Sequence, residues 1–288
     1  MQSSTDLQGT KHASDPETQH PSRQSHVISE AVLKSPVYDD NCTSRGRAII
    51  VENFPARDRG KSHLVTQCKE LGDILESIET QGFDLHEDIQ LYQNLSAEAL
   101  YSLCSKVAET DFSDCYCLLV IILARGRPGL IRCYDEKGSI SYAEQSKILE
   151  IFQPQNCPSL ALKPKLFVIQ TIPDDPDPNE ADSKGMPDDQ EPVKYMFKIP
   201  READFLTYTS NQHVFLEENG FLSSIITNFR DMKKNWNDQR NKTEKDVPDI
   251  HSFLIQINRS CKTKYSMKTI PCTTSSLTKR MYLQRRIV

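Results

Sequence analysis

No two of the nine cysteines in this 288-residue chain are spaced as Cys-x-x-Cys, and their number is odd. The thiols therefore do not describe a disulfide framework; they read as free, buried side chains in a reducing compartment. Long apolar runs are missing too. The longest, Cys115 to Ala124, is about half of what a membrane-crossing helix needs. The stretch from Met1 to Ser35 has no apolar core of the kind a signal peptide carries. These absences lead us to expect a soluble, cytoplasmic protein with no membrane partner. Positive charge is not in excess: 35 Lys and Arg stand against 40 Asp and Glu, a net charge of −5, which argues against a generally basic nucleic-acid binder. No internal repeat is found. A chain of 288 residues can bury a sizeable core without metal or disulfide staples, and neither metal nor cofactor is expected.

What is present is an alternation of strands and helices behind a polar leader. Residues 1–40 are rich in Gln, Ser, Asp, His and Pro, and read as a disordered tail that cannot bury enough apolar surface to order itself. It is also too short and too polar for a six-helix adaptor domain. Order is expected from Arg45. Ala48 to Val51 form a buried strand. Leu64, Cys68, Leu71, Leu75 and Ile78 share one helix face, closed by Gly82. Ser96 caps a second helix with Leu100, Leu103, Cys104 and Val107 inward. Tyr116 to Leu123 is an unbroken apolar run, the mark of a strand covered on both faces. Cys115 and Cys117 are placed on one face of that strand by strict alternation. A third helix ends near Phe152, and Lys165 to Gln170 is another buried strand. This order predicts an α/β fold with a mostly parallel central sheet, and directs attention to the residues that follow Leu123 and Ile169. Residues 173–192 break the pattern with eight acidic residues, five Pro and one Lys. They read as an exposed linker (173–193) between a larger portion (41–172) and a smaller one (194–288). The smaller portion is expected to hold a strand over Ala203 to Thr209, helices over Phe221 to Met232 and Pro248 to Asn258, and a strand pair or strand and turn over Met267 to Leu283. The linker contributes −7, so the remaining chain is near neutral at +2.

Several motifs along residues 45–284 resemble the caspases, Cys-His proteases of cell death. Arg45-Gly46-Arg47-Ala48-Ile49-Ile50 is similar to their first strand, and Asp111-Phe112-Ser113 stands at their Asp-His-Ser. Leu123-Ala124-Arg125-Gly126 stands at Leu-Ser-His-Gly. The stretch from Cys157 to Gln170, with its Cys-Pro-Ser-Leu-Ala-Leu-Lys-Pro-Lys core, is the most specific match. Ile199-Pro200-Arg201-Glu202 resembles the opening of the small subunit, and Ser276 to Leu283 its closing strand. The wording is nearest the caspase-eight, caspase-ten and cellular FLICE-inhibitory protein group. The resemblance implies a three-layer sandwich with helices on both sides of the sheet.

The same resemblance exposes missing chemistry. The general base of the family is the His that Arg125 replaces, and a guanidinium cannot act as a base at physiological pH. The nucleophile is the Cys two residues after the strand-ending Gln; here Gln170 is followed by Thr171 and Ile172. A substitute pair from the other Cys and His residues runs against the tight placement such a pair needs; of the seven His, only His63 falls near the expected substrate side. Gly126 matches the oxyanion-hole glycine, or is simply a turn glycine. Arg59 and Gln170 match two of the three groups that hold the substrate's Asp, with Arg59 equally readable as a surface Arg. The second Arg has no match, and Glu217 and Glu218 lie near its place. Asp182, within Asn179-Glu180-Ala181-Asp182-Ser183, is a candidate cleavage site, or part of an uncut acidic loop. Ile270, Leu277, Met281 and Leu283 are candidates for a dimer strand, or for ordinary core packing.

Two functions from different classes follow. The first is a pseudoprotease that regulates apoptosis by heterodimerising with an initiator caspase of the caspase-eight type, a homodimer being the alternative assembly, with proteolytic processing at the linker. The second is an Asp-specific endopeptidase with unconventional catalytic residues. A third, sequestration of substrates through Arg59 and Gln170, is weakened by Glu217 and Glu218.

Overall fold

A strand can be apolar on both faces only if both faces are covered, and the run from Cys115 meets that condition. In the computed structural model, which describes residues 30–54, 64–77, 83–85, 92–93, 95–135, 137–173, 203–211, 220–237 and 248–284, β3 (Cys115–Arg127) is buried at every position up to Gly126. It lies in the middle of the sheet, between β1 (Ser44–Asn53) and β6 (Lys165–Ile172), parallel to both. The strand order is β2-β1-β3-β6-β7-β8, where β2 is Phe83–Leu85, β7 is Phe205–Asn211 and β8 is Cys272–Ser275. Only β8 runs antiparallel along this path. A hairpin, β4 (Leu130–Tyr134) and β5 (Ile140–Glu144), continues antiparallel from the end of β3.

Helices cover both sides. One face carries Ile50, Leu119, Ile121, Leu166 and Tyr208, packed with α2 (Leu64–Glu76), α5 (Gly220–Asn237) and α6 (Ile250–Thr263). The other carries Ile49, Val51, Val120, Ile122 and Phe167, packed with α3 (Ala97–Ala108) and α4 (Gln145–Ile151). The alternation of neighbours such as Ile121 and Ile122 between the two cores is the period-two signature of strands. This is the α/β three-layer arrangement that the motifs imply. Local chemistry starts two of the helices: Ser96 Oγ accepts from Ala99 N at 3.1 Å, and Asp249 Oδ1 accepts from Ser252 N at 2.8 Å. Each satisfies an amide that the helix itself leaves open. No helix among the described residues is long and apolar enough to cross a membrane.

Two expectations are corrected. The chain divides at Lys34 into a unit that contains α1 (Glu30–Lys34) and a unit from Ser35 onward, so the tail boundary at 40 is too late. Val37 and Tyr38 are buried, and Val37 bridges Arg280. Cys115 and Cys117 pack into opposite cores, not one. The β1–β3 pairing passes from Ser44↔Cys115 to Gly46↔Cys117 with no partner pair at Arg45, so strict alternation fails there. Of the two forms expected for the closing stretch, a strand pair or a strand and turn, the second is found: it holds one four-residue strand, β8, and Met281 and Leu283 lie in the core, at 0% and 3% exposure. They are covered by this chain's own helices and are not available to a second subunit; Ile270 is exposed and Leu277 is partly buried against the core. The readings of residues 1–29 and of the linker beyond Pro173 lie outside the described residues.

The most specific sequence motif turns out to hold the amino end of the sheet. Lys163 Nζ donates to the carbonyls of Phe112, Ser113 and Cys115, and Lys165 Nζ to those of Leu160 and Lys163. Arg45, 1% exposed, stacks on the Tyr116 ring at 4.1 Å and donates from Nη2 to Tyr282 O. The buried Asp204 joins both ends of this unit: Oδ1 accepts from Tyr38 Oη and from Thr278 Oγ1, each at 2.6 Å. Its φ of 76° is a left-handed conformation that Asp and Asn tolerate better than most residues. Asp204→Ala removes the acceptor and adds backbone strain, leaving the buried Tyr38 hydroxyl with no acceptor for its proton while it still accepts from Thr278 N. Its expected cost is about 2–3 kcal/mol, seen as a lower urea midpoint, with Asp204→Asn clearly less damaging.

Candidate active-site region

In a parallel sheet the carboxyl ends of the strands are the usual place for ligands. Here that end gathers six buried polar residues: Glu52 and Asn53 of β1, Arg125 of β3, Gln170 and Thr171 of β6, and Ser210 of β7. The register fixes how they meet. Arg125 lies opposite Ile172, and Gln170 lies between Leu123 and Ser210. The two positions where the resemblance requires base and nucleophile are therefore direct neighbours on adjacent strands. Both are closed to solvent, at 3% exposure each. Arg125 Nη1 donates to Pro173 O at 3.1 Å, which binds the end of β3 to the first residue after β6. Ile172 belongs to the apolar core that includes Phe54, Leu64 and Cys68.

The other members are held in detail. Asn53 pairs with the Leu95 backbone in both directions, its Nδ2 donating at 3.0 Å and its Oδ1 accepting at 2.8 Å. The Glu52 carboxylate accepts from Gln93 Nε2 at 2.7 Å and from Phe54 N at 3.3 Å. Gly126 pairs with Ile131 where β3 turns into β4, and a Cβ there would lie 2.2 Å from Leu130 O. That close backbone approach demands glycine whatever else the residue does. Gln170 is fully buried, while Arg59, His63, Asp182, Glu217 and Glu218 lie outside the described residues. Sequence reading missed Glu52, Asn53 and Ser210; their signal was polarity at the last positions of apolar strands. It also missed the β4–β5 hairpin, which the Pro128-Gly129 turn could have announced.

Chemically, a guanidinium opposite an alkyl group offers neither a proton acceptor nor a nucleophile. Five of the buried thiols are shifted away from the reactive form. Burial pushes Cys104 and Cys117 up to about 12 and Cys133 up to about 11, and it raises Cys68 and Cys157 as well. Such groups stay protonated at neutral pH, and the thiolate is the reactive form. The only described histidine, His251, is exposed on α6 beside Ser275. Among the described residues no group of three or more His, Cys, Asp or Glu is placed to hold a metal ion.

Three outcomes follow. In the folded chain a thiol reagent should label Cys272 quickly, half-buried Cys42 more slowly, and the other seven only on unfolding. Because these buried thiols have raised values in the folded state, their contribution to stability is complete below about 8.5, the value for an unfolded thiol, and falls as pH rises toward 11–12. The urea midpoint should thus hold from pH 7 to 8 and drop by pH 10. Separately, Arg125→Met removes the bond to Pro173 O. Amide exchange at Thr171 and Ile172 should quicken roughly tenfold while Leu119 to Ile122 stay protected.

Comparison with known proteins bears on the fold and the family. The family model Peptidase_C14, the caspase domain, matches residues 45–282. Caspase-7 of Gallus gallus is 28% identical over 270 residues, covering 85% of this chain and 79% of its own. Caspase-3 of Oryctolagus cuniculus is 30% identical over 218 residues, covering 69% and 70%. Among solved structures, pro-sf-caspase-1 superposes with a TM-score of 0.66 at 24% identity, over 88% of this chain and 95% of that one, which speaks to the fold. With a caspase-domain match over most of its length and the sheet and helices in the corresponding order, the chain belongs to the caspase family.

Proposed function

We propose that this caspase-family protein is a catalytically inactive regulator of apoptosis, one that pairs with an initiator caspase of the caspase-eight type in the cytoplasm. The observation that carries the reading is the neighbouring pair Arg125 and Ile172 at the ends of β3 and β6. A proton cannot be taken by the one, and a covalent bond to a substrate carbonyl cannot be made by the other. The burial of both supports a closed site. The likeness of Leu123 to Gly126 and of Cys157 to Gln170 to the caspase-eight, caspase-ten and FLICE-inhibitory group supports an initiator caspase as partner. The short β8 edge, with Ile270 exposed beside it, leaves backbone groups for strand pairing with that partner. Processing after Asp182 by the partner is part of the same proposal.

The purified chain should hydrolyse Asp-ending peptides no faster than an unfolded sample. Mixed with an active caspase-eight-type enzyme, it should co-elute with that enzyme and change its turnover. In the same mixture the chain should be cut once, and Asp182→Ala should remain whole. Turnover by the chain alone that a single Cys substitution abolishes would overturn the proposal in favour of an unconventional endopeptidase.

A further inference from the structure

From Ile250 to Val288 the chain has eight Lys and Arg and no Asp or Glu. In a protein whose overall charge is −5, this is a strong local polarity. Five of those cations, Arg259, Lys262, Lys264, Lys268 and Arg280, are exposed, and the first four lie on α6 and the turn that follows it. Arg259 and Lys262 follow Ile255 at helical spacings of four and three. The three side chains form one outward stripe on α6, opposite the buried Phe253, Leu254, Ile257 and Cys261. Ile255 itself is 66% exposed, the most exposed large apolar side chain described.

The segment after the helix is built, not loose. Tyr265 Oη lies 3.0 Å from Thr227 Oγ1, Met267 N donates to Cys261 O at 2.9 Å, and Met267 is buried. Lys264 and Lys268 are therefore displayed on a fixed backbone. Lys262 and Lys264 also complement the carboxyl end of the helix dipole. That explains two cations, but not Arg259, Lys268 or the lack of any acid.

Position adds to charge. Cys272 pairs with Thr209, near the carboxyl end of β7, so the basic turn that precedes it lies at the end of the sheet where β6 exits at Pro173. β6 and the edge strand β8 are two strand spacings apart, about 10 Å. The sequence that begins at Pro173 has the complementary chemistry, eight acids and one Lys in 173–192. We infer that the stripe Ile255–Arg259–Lys262, with Lys264 and Lys268, is a docking surface for an acidic, extended peptide segment, with Ile255 as an apolar contact at one end. The cations are spread along the stripe and turn, as Asp and Glu side chains are along an extended chain, and an apolar residue within such a surface suits a polypeptide better than a bare polyanion.

The test uses the full chain with the acids of 173–192 changed to Asn and Gln, so that no internal segment competes. The probe is a fluorescent peptide with the natural sequence of 173–192. Anisotropy should report binding that weakens at least fivefold between 50 and 300 mM salt. It should weaken at least tenfold in Arg259→Glu/Lys262→Glu/Lys264→Glu, and less in the Gln versions, with thermal unfolding confirming that each variant is folded. Absence of binding, affinity unchanged by the reversal, or tighter binding of phosphatidylserine vesicles or single-stranded DNA than of the peptide would each overturn the inference. The readout is binding alone, so it is independent of whether the chain hydrolyses peptides or regulates a partner.

Discussion

The complete burial of β3 is the constraint from which the rest follows. A strand covered on both faces needs a helix layer above and below, and its backbone needs a parallel neighbour on each side. Those neighbours are β1 and β6, and their register decides which residues meet at the carboxyl end. Once Val120 lies opposite Phe167, Arg125 must lie opposite Ile172. The arginine thus enters a region with little room for a free charge. Its bond to the Pro173 carbonyl is a local answer to burial, and it brings the exit of β6 under the control of β3.

Much of this frame could be read from residues alone, because burial on both faces leaves a continuous apolar run and burial on one helix face leaves a spacing of three and four. β3, β6 and α3 with its Ser96 cap were legible for that reason. The hairpin β4–β5 was not, since its five-residue strands mix Arg132 and Cys133 with no long run. Met281 and Leu283 show a second limit. Their apolar character says that something covers them, but not whether the cover is another subunit or α5 and α6 of the same chain. Cys115 and Cys117 show a third: where pairing skips a residue, period-two reasoning assigns the wrong face.

The site itself was half legible. Substitution at a motif names the side chain that has changed, but not what the new one does. Buried cations in this fold repeatedly end on backbone carbonyls, as Arg45 does on Tyr282 and Lys165 on Leu160 and Lys163. Such contacts involve residues distant in sequence or main-chain atoms with no identity, and neither leaves a trace in a motif. Gly126 makes the converse point, since a residue that matches a caspase motif position also has a local cause, the close approach of the Leu130 carbonyl across the hairpin.

The Asp204 junction has a consequence for the chain as a material object. Tyr38 and Asp204 lie on opposite sides of the acidic segment in sequence, as do β6 and β7, Arg45 and Tyr282, and α2 and α5, yet all four pairs are in contact. A break anywhere between 174 and 202 would give two polypeptides, neither of which contains a whole sheet. They would remain interleaved and migrate as one particle under native conditions, separating into two bands only in detergent. Covalent continuity through that segment is thus dispensable to the folded shape, whose integrity lies in the strand pairing across it.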